Sequence, residues 1–255
     1  MNQTRSNPFD ISGRTAVVTG GGRGLGLGVT KALLDAGCDV HVMARGQIGE
    51  DLLAYAEQAG QRVVAHPCDL ADGDAIATVS AEILEQAEIS ILVNNAGTQE
   101  RHPAVDFPMD SWDRVIGINL RAVWQTCQIF GREMVRREHG AIINFGSLLT
   151  FQGGITVPAY AAAKGGVGSL TKALCNEWSS KNVNVNCIAP GYMATDMNEA
   201  LIADPERSAQ ISVRIPAGRW GTPQDVGHVC VFLASPAAAY IHGQVIAVDG
   251  GWMAR

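Results

Sequence analysis

Seven short apolar runs punctuate the chain: TAVVTG (15–20), CDVHVMA (38–44), RVVAHPCD (62–69), ISILVNNAG (89–97), AIINFGS (141–147), NVNVNCIAP (182–190) and QVIAVDGG (244–251). Their β-branched content suits strands, and stretches of helical periodicity separate them. Several runs are apolar on both faces, as a parallel sheet covered by helices on each side requires. The pattern predicts an α/β fold: a single-domain, doubly wound parallel sheet of Rossmann-like type with helices on both faces. Right-handed crossovers then place a ligand crevice beyond the carboxyl ends of the strands. The 255 residues suit one domain, 1–255, with no linker, repeat or low-complexity segment.

Composition narrows the partners. A formal net charge of -6 and an isoelectric point near 5.5 argue against nucleic acid and anionic membrane surfaces, leaving a small molecule as the expected partner. The first ten residues are polar and no apolar run approaches the ~20 residues of a membrane span, so no membrane role is expected and the cytoplasm is the expected location. Cys38, Cys68, Cys127, Cys175, Cys187 and Cys230 form neither a C-x-x-C pair nor a Cys/His cluster, so they read as reduced, mostly buried thiols, and no metal is expected.

Chemistry enters at the first strand-to-helix turn, Thr19-Gly20-Gly21-Gly22-Arg23-Gly24-Leu25-Gly26. Glycines there let backbone amides approach a pyrophosphate, and the following helix N-terminus adds partial positive charge. A turn that binds nothing is the competing reading. Further along, Tyr160 and Lys164 stand four residues apart, so on a helix they share a face. A fixed cation beside a phenol favours the phenolate, which suits acid–base work. Taken singly, Tyr160 could be a core aromatic, Lys164 a solvated charge, Ser147 a loop hydroxyl and Asn119 a helix cap.

The spacing G-x-x-x-G-x-G over residues 20–26, with Asn94-Asn95-Ala96-Gly97, Asn119, Ser147, Tyr160-x-x-x-Lys164 and Pro190-Gly191 following in order, resembles the short-chain dehydrogenase/reductase family from end to end. The resemblance implies a nicotinamide-dependent oxidoreductase acting on a CH–OH group. Tyr160 would be its acid/base, Lys164 a donor to the nicotinamide ribose, Ser147 the group polarising the carbonyl and Asn119 the holder of a relay water. It places the cofactor on Gly20, Arg23, Gly24, Leu25 and Gly26, with Asp69 and Leu70 at the adenine. Asn95 and Gly97 would line the adenine ribose, Thr195 would meet the nicotinamide amide, and Ala96, Pro190 and Gly191 would also bind the cofactor. Asp69 also reads as a turn or cap residue. After the second strand, Met43-Ala44-Arg45 lacks the carboxylate that would bind a free ribose 2′-hydroxyl. With Arg23 and Arg45 able to reach a 2′-phosphate, NADP(H) is favoured and NAD(H) stays open.

The C-terminal third, including FQGGITVPAYAAAKGGV (151–167), RIPAGRWGTPQDV (214–226) and VDGGWMAR (248–255), resembles the family's sugar-acid branch, the 2-deoxy-D-gluconate 3-dehydrogenase or 2-keto-3-deoxy-gluconate 5-dehydrogenase type. A small polyhydroxy carboxylate is the substrate this implies, with Arg101, His102 and Arg214 as candidate partners for the carboxylate and Gln152 and Tyr192 for hydroxyls. Met193, Thr195 and Met197 would open a substrate loop around 191–215, and Trp220 and Trp252 read as structural. The helix expected over 158–180 is small and apolar on nearly every side, which points to a face packed on a second copy, as in the homotetramer usual for the family. Two other readings share the pattern: a general carbonyl or 3-oxoacyl thioester reductase, and a non-catalytic NADP(H)-binding regulator.

Overall fold

The computed structural model of the protein describes residues 7–195 and 198–255. All seven expected strands form, as β1 Thr15–Thr19, β2 Asp39–Ala44, β3 Val63–Pro67, β4 Ile91–Asn94, β5 Gly140–Phe145, β6 Val183–Pro190 and β7 Val245–Val248. They make one parallel sheet in the order β3-β2-β1-β4-β5-β6-β7. The order reverses between β1 and β4, so the crevice of a doubly wound sheet opens there. Register aligns the strand ends at that point: Thr19 lies opposite Asn94, and Asn94 opposite Asn144.

Each face of the sheet is buried under helices. On one side α1 (Gly24–Asp35), α2 (Glu50–Gln58) and α9 (Pro223–Ala234) cover a core that includes Val18, Val42, Val29, Leu33 and Leu233. α1 and α9 pack backbone to backbone, since a Cβ on Gly28 would stand 2.3 Å from Pro223. On the other side α3 (Gly73–Gln86), α5 (Ala122–Arg137) and α6 (Pro158–Trp178) cover Val17, Leu92, Ile142 and Phe130. α6 buries Ala159, Ala163, Lys164, Val167, Gly168, Thr171 and Leu174 as one stripe and leaves its other face uncovered by this chain. The remaining helices are α4 (Met109–Ile116), α7 (Glu199–Ile202) and α8 (Pro205–Arg214). Among the described residues no helix is long and apolar enough to cross a membrane, and no cluster of three His, Cys, Asp or Glu could hold a metal.

Two departures from the sequence pattern matter for the crevice. The run 89–97 continues past the end of β4, yet its last three residues leave the sheet because the Asn95 amide donates to the carbonyls of Thr19 (3.0 Å) and Gly20 (3.3 Å). Between α4 and α5 the helix widens into a π turn, Gly117–Arg121, around Asn119. There the Asn119 amide donates to Val115 O, competing with the regular helical ladder. Beneath the crevice Asn94 donates to Asn144 (2.9 Å), Thr126 to Asn94 (2.7 Å) and Asn144 to Thr171 (3.0 Å). This fully buried chain ties β4 and β5 to α5 and α6, and such satisfied networks make positions rigid.

Candidate active site

The glycine turn follows β1 because Gly20 takes φ +67° and Gly24 φ +52°, conformations that a side chain rarely tolerates. A Cβ on Gly26 would stand 2.1 Å from Gly20 O and 2.5 Å from Asn95 Nδ2, and one on Gly21 would stand 2.7 Å from Thr30 Oγ1. The turn is thus folded tightly against α1, whose N-cap residue, Arg23, makes no side-chain cap bond and whose first turn carries no acid. The first turn of a helix leaves its N–H groups, here those of Leu25 and Gly26 among them, without intrahelical partners, which is what a diphosphate needs. These residues fit a dinucleotide. Arg23 and Arg45 are both exposed beside it, and nothing acidic occupies Ala44.

Thr19, at the head of the turn, locks it to the β4 loop: its hydroxyl accepts from Ala96 N (3.1 Å) and its carbonyl from Asn95. Asn95 therefore fixes the glycine turn itself and does not simply line a ribose. Asp69 is exposed after β3, with Oδ1 accepting from Ala71 N at 3.0 Å, so the turn role holds for one carboxylate oxygen. Leu70 is 8% exposed and packed in the core. Pro190 ends β6, and a Cβ on Gly191 would stand 2.7 Å from Asp249, so that turn is also pinned. Thr195 comes to the glycine turn from the other side, its Cβ 3.9 Å from the Cβ position of Gly24.

The four proton-handling candidates converge from three elements. Ser147 follows β5 and caps a short helical turn, its Oγ accepting from Leu149 N at 3.2 Å. Tyr160 and Lys164 share one face of α6, with the ammonium 5.5 Å from the phenol ring centroid. Lys164 is only 2% exposed and donates to Phe145 O at 2.7 Å. Asn119 is fully buried, donating to Thr98 O (2.8 Å) and accepting from Thr98 N (3.2 Å). Its amide holds the loop after β4, spending both N–H donors and one of the two lone pairs of its oxygen. Gly97 joins the set, because a Cβ there would stand 2.7 Å from Asn119 Oδ1 and 3.8 Å from Lys164 Nζ.

Burial raises the Tyr160 phenol above its ordinary value, and the Ser147 hydroxyl offsets this only in part. Burial acts on the lysine as well, pushing its ammonium from 10.5 down to about 8. Both groups sit where charge is poorly solvated, so each is more easily held neutral than in water. The neighbouring Cys187 thiol is pushed up to about 11 by the same desolvation and stays protonated.

The substrate candidates divide. His102 lies 3.9 Å from Glu100 and edge-on to Phe107, and its backbone N–H donates to Thr156 O, so it braces two loops. Glu100 also pairs with Arg114 at 3.4 Å, leaving Arg101 exposed and unpaired among the described residues. Arg214 sits over Trp252, its guanidinium 4.0 Å from the ring centroid. Tyr192 packs on Trp252 and Trp220 at 4.7 and 5.5 Å, in a cluster that also holds Leu148, next to Ser147. Gln152 is exposed just beyond that turn. Met193, at the start of the expected substrate loop, is 3% exposed and packed in the core. Met197 lies outside the described residues.

The profile of the family described as enoyl-(acyl carrier protein) reductase matches residues 20–253. A 2-dehydro-3-deoxy-D-gluconate 5-dehydrogenase of Pseudoalteromonas atlantica is 48% identical over 250 residues, covering 97% of this chain and 98% of that one. A solved structure from Beutenbergia cavernae with NADP bound at low occupancy superposes with TM-score 0.94 at 44% identity, covering 98% of this chain and all of the other. A gluconate 5-dehydrogenase from Burkholderia cenocepacia, in complex with NADP and tartrate, gives TM-score 0.90 at 35% identity over 97% of this chain and 98% of its own.

Proposed function

This chain belongs to the short-chain dehydrogenase/reductase family, and from that premise we propose that it interconverts a ketone and a secondary alcohol on a small sugar acid of the deoxy-gluconate or keto-gluconate type, using NADP(H). The observation that carries the reaction is the convergence of Ser147, Tyr160 and Lys164 beside Gly97, at the switch point where the glycine turn opens. The substrate class rests on the 48% identical relative named for 2-dehydro-3-deoxy-D-gluconate and on the neighbour that holds NADP together with tartrate, itself a hydroxy acid.

Bound on the glycine turn, a nicotinamide dinucleotide supplies the hydride donor or acceptor. The chain's own residues handle the proton. In reduction the Tyr160 hydroxyl gives its proton to the substrate carbonyl oxygen as charge builds there, and in oxidation it takes the alcohol proton back. The Ser147 hydroxyl, whose oxygen already accepts from Leu149 N, donates to the same oxygen and stabilises its developing charge. The Lys164 ammonium, held by Phe145 O, stabilises the phenolate when Tyr160 has lost its proton. Asn119 keeps the Thr98 backbone in place beneath the nicotinamide side of the crevice. Arg101, unpaired among the described residues, suits a substrate carboxylate, and Arg23 and Arg45 suit a 2′-phosphate.

On this reading residues 1–255 act as one dinucleotide-binding and catalytic domain with a substrate loop around 191–215. The uncovered face of α6 packs on a second copy in a cytoplasmic homotetramer, which light scattering checks. The decisive experiment is a panel of sugar acids, simple ketones and acetoacetyl thioesters, assayed with NAD(H) and NADP(H) by nicotinamide absorbance. Turnover of sugar acids above the rest supports the assignment, and turnover of thioesters alone overturns it in favour of a thioester reductase.

A further inference from the structure

Ser147 and the pair Tyr160 and Lys164 are carried by different elements, the end of β5 and the start of α6, yet the reaction needs their hydroxyls at one substrate oxygen. A side chain outside every motif bridges the two. The Thr150 hydroxyl accepts from the backbone N–H of Ser147 at 3.1 Å and donates to the backbone carbonyl of Lys164 at 3.1 Å. These two bonds spend the hydroxyl's single donor and one of its two lone pairs.

The seat around this side chain is cut from both elements. A Cβ on Gly146, in the turn after β5, would stand 2.6 Å from Thr150 Oγ1, and one on Gly168, one turn beyond Lys164 on α6, would stand 2.7 Å from Thr150 Cγ2. Both distances are closer than a real methyl can sit, so glycine at these positions lets the threonine lie between strand and helix. The bond to Ser147 N–H also closes a capping box on the turn Leu148–Thr150. The bond to Lys164 O has no part in that cap, since a helical carbonyl already has its own ladder partner. At its far end the same lysine is fixed by Phe145 O, so the residue is held at its backbone by Thr150 and at its ammonium by β5.

We propose that Thr150 is a positioning residue for the reaction, setting the distance between Ser147 and the Tyr160–Lys164 pair through these two hydrogen bonds. The inference rests on the assignment of Ser147, Tyr160 and Lys164 as the proton-handling group. Misplacement of reacting groups by about 1 Å costs on the order of a hundredfold in rate, and a hydroxyl that pins both carriers controls displacements of that size.

The test compares Thr150→Val, Thr150→Ala and Thr150→Ser with the wild-type enzyme, with Tyr160→Phe in parallel. Valine keeps the methyl against Gly168 and removes the hydroxyl, alanine removes both, and serine keeps the hydroxyl. The expected result is a fall in kcat of about ten- to a hundredfold for valine and alanine, with the KM for NADPH within about twofold and serine restored to within about threefold. The kinetic isotope effect with 4-deuterated NADPH should rise in the valine and alanine variants, because the chemical step becomes rate-limiting. A Thr150→Val enzyme within about twofold of wild type in kcat overturns the proposal, as does a serine variant that falls as far as alanine. If valine fails to fold, alanine against serine gives the same reading. An active Tyr160→Phe enzyme refutes the underlying assignment, whereas an inactive one beside a fully active Thr150→Val refutes only the role of Thr150.

Discussion

Replacing Lys164 by methionine should stabilise the folded protein at neutral pH while abolishing turnover. Lys164 is 2% exposed, faces no carboxylate in any ion pair recorded among the described residues, and has its ammonium lowered by burial from 10.5 to about 8. At about 1.4 kcal/mol per pH unit, keeping that charge buried costs roughly 3 kcal/mol at pH 7, where folded and unfolded chains both hold the proton. Methionine is of similar length and removes the charge; it leaves Phe145 O without its donor, which returns about 1–3 kcal/mol. The net gain at pH 7 is about 0–2 kcal/mol. Between about 8 and 10.5 the unfolded wild-type chain holds a proton that the folded chain has released, so wild-type stability climbs with pH through that window. The advantage of the methionine variant must therefore shrink by about 3 kcal/mol and reverse, a swing of about 6–12 °C in relative Tm for a chain of this size. Thermal unfolding of both proteins in cofactor-free buffers from about pH 6.5 to 10 measures the gap, and groups common to both cancel in the difference. A gap that stays constant with pH refutes the reasoning, because it means the ammonium is not destabilised in its site.

Tyr160→Phe keeps the ring in the cleft and removes the proton donor, so kcat should fall by about 10²–10⁴ with NADPH binding unchanged, as read by tryptophan fluorescence titration. Gly26→Ala would place a Cβ 2.1 Å from Gly20 O, and the turn must shift to accept it. Overpacking of this kind costs about 1–3 kcal/mol in the denaturation midpoint and should raise the Kd for NADPH by more than about tenfold. Arg45→Asp should lower the ratio of kcat/KM for NADP(H) over NAD(H) by about ten- to a hundredfold at fixed salt; an unchanged ratio would show that Arg45 does not meet the 2′-phosphate.

The sheet was legible because seven apolar runs with helical intervals admit few arrangements, and all seven appear as parallel strands. The glycine turn and the four-residue spacing of Tyr160 and Lys164 were legible for the same reason, since both are local along the chain. Where contacts are distant in sequence the pattern was silent. Thr19 gripping Ala96, Asn119 gripping Thr98 and Thr150 joining Ser147 to Lys164 each use an ordinary polar residue with no mark of its partner. Arg214 shows the same limit: its charge was visible, its position over the Trp252 ring was not.

Residue order alone set the alternation of strands and helices, the phosphate-sized turn and the pairing of a phenol with an amine, because periodicity and covalent spacing are properties of a short stretch. Folding decided the rest, including how deeply that pair is desolvated: burial raises the tyrosine phenol and lowers the lysine ammonium. Desolvation depends on what distant segments lay over a side chain, and that quantity exists only once the chain has closed around it.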